Sequence, residues 1–212
     1  MKPSRKGSIK VKFIGREKQL KQLANIINTE QLNTTLIYGR RRVGKSELVK
    51  QAIKKNDARV IYYECRQIAE GSNVKNICDI VAEVFDLPKL GYSTMEDVLE
   101  YIFKLSEKEK IVFILDEYHY LKENIKGIDS ILQALIDGYK DMAKLSLILL
   151  GSFVDVMKSL LSASNPLYGR VDLTIDLKPM DYYEAALFYP AFSDADKVRT
   201  YSVFGGIPYY NR

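Results

Sequence analysis

The residues most able to carry chemistry form one continuous loop. They match the G-x-x-x-x-G-K-[ST] pattern of a phosphate-binding loop and are, in order, Gly39, Arg40, Arg41, Arg42, Val43, Gly44, Lys45 and Ser46. Glycine lets such a backbone curl so that consecutive N–H groups face an anion. Lys45 is predicted to reach the β- and γ-phosphates, and the Ser46 hydroxyl to bind Mg²⁺. The loop therefore predicts a site for a nucleoside triphosphate.

The sequence on either side of the loop fits this prediction. Residues 34–38 form an apolar, β-prone run, and residues 46–54 have an amphipathic helical pattern. A phosphate-binding loop needs this context, because the helix N-terminus adds the positive end of its dipole to the anion site. Glu47 completes the predicted nucleotide contacts at this point. The alternative, a glycine-rich turn with an exposed lysine, explains less of the pattern.

A second group of candidates follows another apolar strand. Residues 111–115 are followed directly by Asp116 and Glu117. Asp116 is predicted to hold Mg²⁺, directly or through water, opposite Ser46, and Glu117 to orient and polarise the attacking water. Two adjacent acids could also be turn residues, but the phosphate-binding loop makes that reading weak. The pair favours hydrolysis over transfer to a small molecule.

Ser152 follows the apolar run at residues 145–150. If this strand lies between the loop strand and the acidic strand, Ser152 points at the γ-phosphate or the attacking water. An ordinary Gly-Ser turn is nearly as good an explanation of these residues alone.

Histidine or thiolate chemistry has little support. His119 is the only histidine, and Cys65 and Cys78 lack metal-ligand spacing. His119 is predicted to be a partly exposed loop residue near the nucleotide. The two cysteines are predicted to be reduced, buried thiols of a cytoplasmic protein.

Composition fits a globular domain. The 212 residues are 47% hydrophobic and 28% charged, with a net charge of +5. Apolar runs are of strand length and too short for a bilayer, so no membrane contact is predicted. Residues 1–12 are a basic tail without the apolar segment of a signal peptide. The charge alone does not indicate a nucleic-acid-binding protein.

The chain alternates strand and helix patterns, which predicts a parallel α/β fold. Helical periodicity covers residues 16–29, 73–86, 94–106 and 128–140. Near-continuous apolar runs are typical of parallel strands covered on both faces. The predicted strands are residues 34–38, 59–64, 110–115, 145–150 and 171–177.

The last part of the chain has a different pattern. Asp181 and Glu184 form a plausible capping box, and a second helix is predicted at residues 193–204. Two short helices have little to pack on, so residues 191–212 are predicted to be the start of a truncated helical lid. The nucleotide-binding core is predicted to be residues 13–190.

Taken together, these motifs resemble the archaeal-type ATPase family, P-loop proteins of the AAA+/STAND-like branch that are related to origin-recognition and NB-ARC ATPases. The resemblance covers most of the chain from Phe13 to Tyr210. Several motifs in the family's order make it more specific than the phosphate-binding loop alone. They are residues 13–17, 38–46, 116–117, 151–152, 166–170 and 205–208.

The resemblance implies a P-loop NTPase fold, a three-layer α/β/α sandwich with strand order 5-1-4-3-2, and ATP as the nucleotide. It implies that Ile14 and Gly15 border the adenine and that Pro208 packs on the base from the lid. It makes Arg170 a candidate arginine sensor or finger, acting in cis, in trans or not at all.

The resemblance also bears on partners. Full-length relatives carry a winged-helix module after the lid, so a fragment or truncated copy is expected, with DNA contact only through that missing module. A homo-oligomer is possible, and ATPase activity of the isolated chain is expected to be weak.

Three functions compete. The first is an ATP-hydrolysing switch or motor domain. The second is a nucleotide-stabilised scaffold of a DNA-associated or defence complex with negligible turnover. The third is a P-loop kinase, which would need a mobile lid carrying arginines, and none stands out at residues 65–110.

Overall fold

The computed structural model describes residues 13–211, and the predicted basic tail lies outside the described residues. A single sheet of five parallel strands organises them. The strands are β1 (Asn33–Tyr38), β2 (Arg59–Glu64), β3 (Ile111–Asp116), β4 (Leu145–Gly151) and β5 (Leu173–Asp176). Their spatial order is β2-β3-β4-β1-β5, which confirms the expected order 5-1-4-3-2.

Helices cover both faces of the sheet, as an α/β/α sandwich requires. Helices α1 and α2 pack on one face, and α3, α4 and α6 on the other. The helices are α1 (Glu17–Ile27), α2 (Lys45–Ile53), α3 (Glu70–Phe85), α4 (Met95–Lys108), α5 (His119–Asn124), α6 (Ile128–Tyr139), α7 (Val154–Ser159), α8 (Tyr182–Ala186) and α9 (Asp194–Phe204). Across residues 13–211, no helix is long and apolar enough to cross a bilayer.

The burial of the central strands explains their continuous apolar sequence pattern. Every residue of β1, β3 and β4 is buried, because helices cover both faces of these strands. Such strands read as continuous apolar runs rather than alternating ones. The two six-residue helices α5 and α7 were not predicted, since they are too short to show a helical period.

Strand order decides which loops meet. β4 lies between β1 and β3, so the carboxyl ends of these three strands are neighbours at one edge of the sheet. Ligands of open α/β sheets bind outside this edge. The phosphate-binding loop, the acidic pair and Ser152 therefore come together, although they are far apart in the chain.

Half of the predicted capping box is present: the Asp181 side chain accepts a hydrogen bond of 2.8 Å from the Glu184 backbone N–H at the start of α8, while the Glu184 carboxylate contacts Arg16 instead. Ser193 caps α9 in the same way. No residue of α9 is buried. A single turn of 3₁₀-helix, Pro208–Tyr210, follows and returns to the phosphate-binding loop.

Candidate nucleotide-binding site

The phosphate-binding loop connects β1 directly to α2 and is shaped by close packing. A Cβ atom at Gly39 would lie 2.2 Å from the carbonyl oxygen of Leu177, so only glycine fits there. Gly44 has φ +95° and Arg42 has φ +68°, both in the left-handed region. Lys45 is the first residue of α2, so the positive end of that helix faces the loop. This is the geometry of an anion site.

Lys45 is held against its own loop. Its Nζ donates to the carbonyl oxygens of Gly39, at 2.9 Å, and Arg40, at 3.3 Å. Burial lowers the pKa of Lys45 from its ordinary value, while the nearby carboxylates of Glu117 and Asp116 act in the opposite direction. The ammonium group is thus a partly desolvated cation, and its contacts with neutral carbonyls are ones that a phosphate could replace.

Ser46 and Asp116 meet as the sequence predicted. The Ser46 hydroxyl donates to Oδ2 of Asp116 at 2.7 Å, and the Glu117 backbone N–H donates to Oδ1 at 3.0 Å. Asp116 is only 6% exposed. The third donor to this carboxylate, and the second to Oδ2, is the hydroxyl of Tyr62 from β2, which sequence reasoning missed.

Glu117 and Ser152 also meet. Oε2 of Glu117 accepts two hydrogen bonds from Ser152, at 3.0 Å from the backbone N–H and 2.9 Å from the hydroxyl. The backbone of Glu117 has φ +54°, an unusual conformation for a residue with a side chain. Its carboxylate is therefore aimed by the end of β4.

The prediction that His119 is a partly exposed loop residue was wrong. It begins α5 and is fully buried, with its ring centroid 4.1 Å from that of Tyr120 and 4.5 Å from that of Phe153. Its Nδ1 lies 3.3 Å from Oε2 of Glu117, but neither ring nitrogen makes a hydrogen bond. Burial lowers the pKa of His119. Phe153, which follows β4, covers the ring, and this contact depends on strand order rather than on local sequence.

A cavity of about 410 Å³ opens in front of the loop. Of the predicted catalytic groups, Lys45 and Glu117 line it, together with part of the phosphate-binding loop and one tyrosine that was not predicted. Its lining consists of Arg41, Arg42, Gly44, Lys45, Ser46, Glu47, Glu117, Pro208 and Tyr209.

A second, more apolar cavity adjoins the first and shares Gly44, Glu47 and Pro208 with it. Ile14, one of the predicted adenine contacts, also lines it, and so does Val43 of the loop. Its volume is about 20 Å³, which is room for about one water molecule. Phe13, Arg16, Met180 and Phe188 complete the lining.

Arg16, which lines this second cavity, is held in place by Glu184. The Arg16 backbone N–H donates to Oε1 of Glu184 at 2.8 Å, and its guanidinium donates to the carbonyl of Lys178 at 2.5 Å. Gly15, the other predicted adenine contact, lies beside the same glutamate: a Cβ there would be 3.2 Å from Oε1. These contacts tie the segment before α1 to α8.

The C-terminal segment, residues 205–211, closes the other side. The carbonyl of Gly206 accepts from the Met180 backbone N–H at 2.7 Å, and a Cβ at Gly206 would lie 1.7 Å from the Met180 carbonyl oxygen. Arg42 contacts the same segment: its guanidinium lies 4.3 Å from the ring centroid of Tyr209 and donates to the Tyr210 hydroxyl at 3.0 Å. Pro208 is thereby brought to the edge of both cavities.

Arg170 lines neither of these two cavities. It makes a two-pronged ion pair with Asp137 of α6, with N–O distances of 2.8 and 2.7 Å. It lines a different cavity, near Leu32 and Thr34 at the start of β1. The phosphate-binding loop follows the other end of that strand, so the structure does not bring Arg170 to its own loop. Action in trans stays a prediction.

The strand–loop–helix cradle, the acidic strand and the order of the sheet define the chain as a P-loop NTPase. Residues 13–210 match the family described as an ATPase domain predominantly from Archaea. The chain belongs to this family of archaeal-type ATPases.

Similar proteins agree with this assignment. An uncharacterized protein of Methanocaldococcus jannaschii, MJECL04, is 31% identical over 199 residues. The alignment covers 93% of this chain and 43% of that protein, so the chain spans less than half the length of this relative.

Solved structures share the fold at lower identity. The Walker-type ATPase PABY2304 of Pyrococcus abyssi has a TM-score of 0.68 and 21% identity, covering 92% of this chain and 65% of that one. The ORC2 protein of Aeropyrum pernix, in its ADPNP-ADP complexes, has a TM-score of 0.63 and 16% identity, covering 81% and 50%. Drosophila ORC bound to DNA has a TM-score of 0.63 and 17% identity, covering 96% and 55%.

Proposed function

We propose that this chain binds ATP with Mg²⁺ and hydrolyses it, serving as a nucleotide-dependent switch or motor module. The observation that carries the proposal is the convergence of Lys45, Ser46 and Glu117 on one cavity of about 410 Å³. The first two follow β1 and the third follows β3, so the arrangement depends on the tertiary fold.

Phosphate binding follows from the loop. The backbone N–H groups and the N-terminus of α2 would face the anion, and Lys45 would exchange its carbonyl contacts for phosphate oxygens. The gain is electrostatic, because a charged acceptor replaces two neutral ones. The base would lie in the adjoining cavity, bordered by Ile14 and Gly15 on one side and Pro208 on the other. That cavity must widen when a base binds, since its volume is only about 20 Å³.

The residues present fit a magnesium ion. Ser46 Oγ and Asp116 Oδ2 are oxygen ligands 2.7 Å apart and lie beside Lys45. Within residues 13–211, no group of three or more His, Cys, Asp or Glu side chains could hold a metal. Mg²⁺ commonly binds through one or two protein oxygens and the phosphates of the nucleotide. When bound, the ion would neutralise charge on the β- and γ-phosphates.

Glu117 is proposed to orient the attacking water. Its carboxylate stands at the cavity wall, held by Ser152. Ser152 would aim this carboxylate and, through its position after β4, lie close to the γ-phosphate end of the cavity. A general base acts only within hydrogen-bond reach of the proton that it accepts.

One observation favours the second function, a nucleotide-stabilised scaffold with negligible turnover. Oε2 of Glu117 already accepts two hydrogen bonds and lies 3.3 Å from the buried ring of His119. These contacts occupy one of the two carboxylate oxygens that could orient the water, and they hold the side chain in place. If they persist with ATP bound, binding would proceed without hydrolysis.

Turnover measurements separate the two functions. The purified chain is incubated with ATP and Mg²⁺, or with ATP and EDTA, and both the released phosphate and the thermal shift are measured. We expect phosphate release only with Mg²⁺, and stronger stabilisation with Mg²⁺ than with EDTA. Stabilisation without phosphate release would leave the scaffold function, and the absence of both would contradict the site itself.

Assembly is a separate proposal. Arg170 is proposed to act on the phosphates of a neighbouring copy, because it lies far from its own loop. Specific activity should then rise with protein concentration and lose that rise in Arg170→Ala, because an arginine finger can contribute about 10³–10⁵ in rate. If activity is low and independent of protein concentration in both the parent chain and Arg170→Ala, Arg170 has no role in catalysis and only forms its ion pair with Asp137. Adding DNA to the same assay tests whether nucleic acid changes the rate.

A further inference from the structure

Tyr62 of β2 belongs to none of the P-loop motifs, yet it contacts Asp116, the proposed magnesium ligand. β2 pairs with β3 in parallel, with Tyr62 opposite Ile114 and Glu64 opposite Asp116. The half-buried Tyr62 ring packs in the layer between the sheet and α2, and its hydroxyl donates to Oδ2 of Asp116.

The contact matters because Asp116 is almost fully buried, at 6% exposure. A buried carboxylate needs donors to offset the loss of water. Oδ2 receives two, from Ser46 and from Tyr62, and Oδ1 receives one from the Glu117 backbone N–H. Of the two side-chain donors, Ser46 is the one proposed to contact the metal as well. Tyr62 is thus the side-chain donor left to fix the carboxylate when Ser46 changes partner.

We propose that Tyr62 is a positioning residue that orients Asp116 for Mg²⁺; this inference rests on the proposed function of the site. Mg²⁺ demands near-ideal octahedral geometry, so the orientation of a ligating or water-holding carboxylate affects its affinity. Outer partners of metal ligands typically contribute about 10- to 100-fold to metal affinity or activity. Tyr62 has the place and the hydrogen bond of such a partner.

The neighbouring residue offers a matched control. Tyr63 is buried on the opposite face of β2, where its hydroxyl donates to Oδ1 of Asn73 in α3. Tyr63→Phe removes the same atom as Tyr62→Phe, one residue along the same strand. It leaves the contacts of Asp116 intact.

The test measures metal affinity rather than turnover. Binding of a fluorescent ADP analogue is measured for the parent chain, Tyr62→Phe and Tyr63→Phe, first in EDTA and then along a Mg²⁺ titration. We expect all three to bind equally well in EDTA. The Mg²⁺ midpoint should rise about tenfold or more in Tyr62→Phe alone. An unchanged midpoint in Tyr62→Phe, or an equal rise in Tyr63→Phe, overturns the proposal.

Two further measurements separate this inference from the function on which it rests. In an Asp116→Asn background, Tyr62→Phe should have no additional effect on the Mg²⁺ midpoint, because residues in direct contact are not additive. Full additivity would overturn the inference while leaving the magnesium site standing. If nucleotide binding to the parent chain does not depend on Mg²⁺, the proposed magnesium role fails, and the inference fails with it.

Discussion

The site has a proposed phosphate end, which is the first cavity, and a proposed base end, which is the adjoining second cavity. The two ends are built differently. The phosphate end has a cavity of about 410 Å³; most of its walls come from the loop after β1, the start of α2 and the residue after β3, with Pro208 and Tyr209 at one side. The base end has a cavity of about 20 Å³; it shares three lining residues with the first cavity, and most of its other walls come from separate segments around Ile14 and Met180. The first end depends mainly on the sheet, whereas the second depends more on how chain segments close together.

This difference indicates a division of roles. A cradle whose groups are already in place binds its ligand with little ordering cost, and so supplies affinity. A wall that must move to admit a ligand couples binding to conformation. We expect the phosphate end to supply affinity and the base end to supply the conformational response. ATP and inorganic tripolyphosphate, which lacks the base, distinguish the two ends experimentally.

The largest effect is expected at Glu117, the proposed catalytic carboxylate of the phosphate end. Glu117→Gln should keep the binding of ATP and tripolyphosphate but lower turnover by about 10²–10⁴, because the amide cannot accept a proton. Phosphate release and thermal shifts measure this. Glu123→Gln, an exposed change on α5, is the control. Turnover at the parent rate would show that another group orients the water.

Next in size is Lys45→Ala, which removes the cation of the phosphate end. Ligand at about a hundred times its dissociation constant should stabilise the parent by about 2.7 kcal/mol. The variant should lose most of this shift with both ATP and tripolyphosphate. Lys55→Ala, an exposed lysine beyond α2, should retain it. A variant that is stabilised as strongly as the parent would contradict the assignment of the site.

At the base end, Gly206→Ala should separate the two ligands. The added Cβ would lie 1.7 Å from the Met180 carbonyl oxygen, so the segment carrying Pro208 must shift. Overpacking of this kind costs about 1–3 kcal/mol, and we expect ATP affinity to fall by roughly 5- to 150-fold. Tripolyphosphate affinity should stay unchanged. Gly91→Ala, where a Cβ meets nothing within 4 Å, is the control.

Two results for Gly206→Ala would contradict the proposed difference between the two ends of the site. Equal loss of both ligands would mean that the segment supports the phosphate end as well. Tighter ATP binding would mean that the segment blocks the base rather than packing on it.

The smallest effect is expected for Arg42→Ala, which loosens the same segment from the loop side. An exposed cation–π contact contributes about 0.5–1 kcal/mol, so ATP affinity should fall only about two- to fivefold. Amide exchange of residues 205–211 should accelerate clearly. Arg40→Ala changes a neighbouring arginine whose guanidinium lines neither cavity and should leave exchange unchanged. Equal acceleration in both variants would assign the effect to loop charge.

The sequence was a good guide wherever the signal is local. The phosphate-binding loop, the strand at Ile111–Asp116 and the cap at Asp181 depend on residues adjacent in the chain. The period and composition of such segments follow directly from burial on one or both faces. The strand order came from the family resemblance rather than from the residues themselves.

What escaped prediction depends on contacts between distant segments. Phe153 covers the ring of His119, and Asp137 of α6 holds the guanidinium of Arg170. Tyr62 reaches Asp116 only because β2 and β3 pair in one particular register. The alternation of side chains along a strand places residues 62 and 64 on one face, which was the available signal. This alternation indicates which residues share a face of the strand, but it does not predict the hydrogen bond.

The pairing of β1 has a consequence for how the protein is made. Its neighbours are β4 and β5; Asn33 lies opposite Ser146, and the two are 113 positions apart, while Thr35 lies opposite Leu173. Pairing over such separations requires large loops to close and is slow to form. A growing chain on the ribosome carries the phosphate-binding loop long before the strands that flank it. We therefore expect ATP to stabilise a nascent chain only after β5 has emerged, which makes nucleotide binding a reporter of the completed five-stranded sheet.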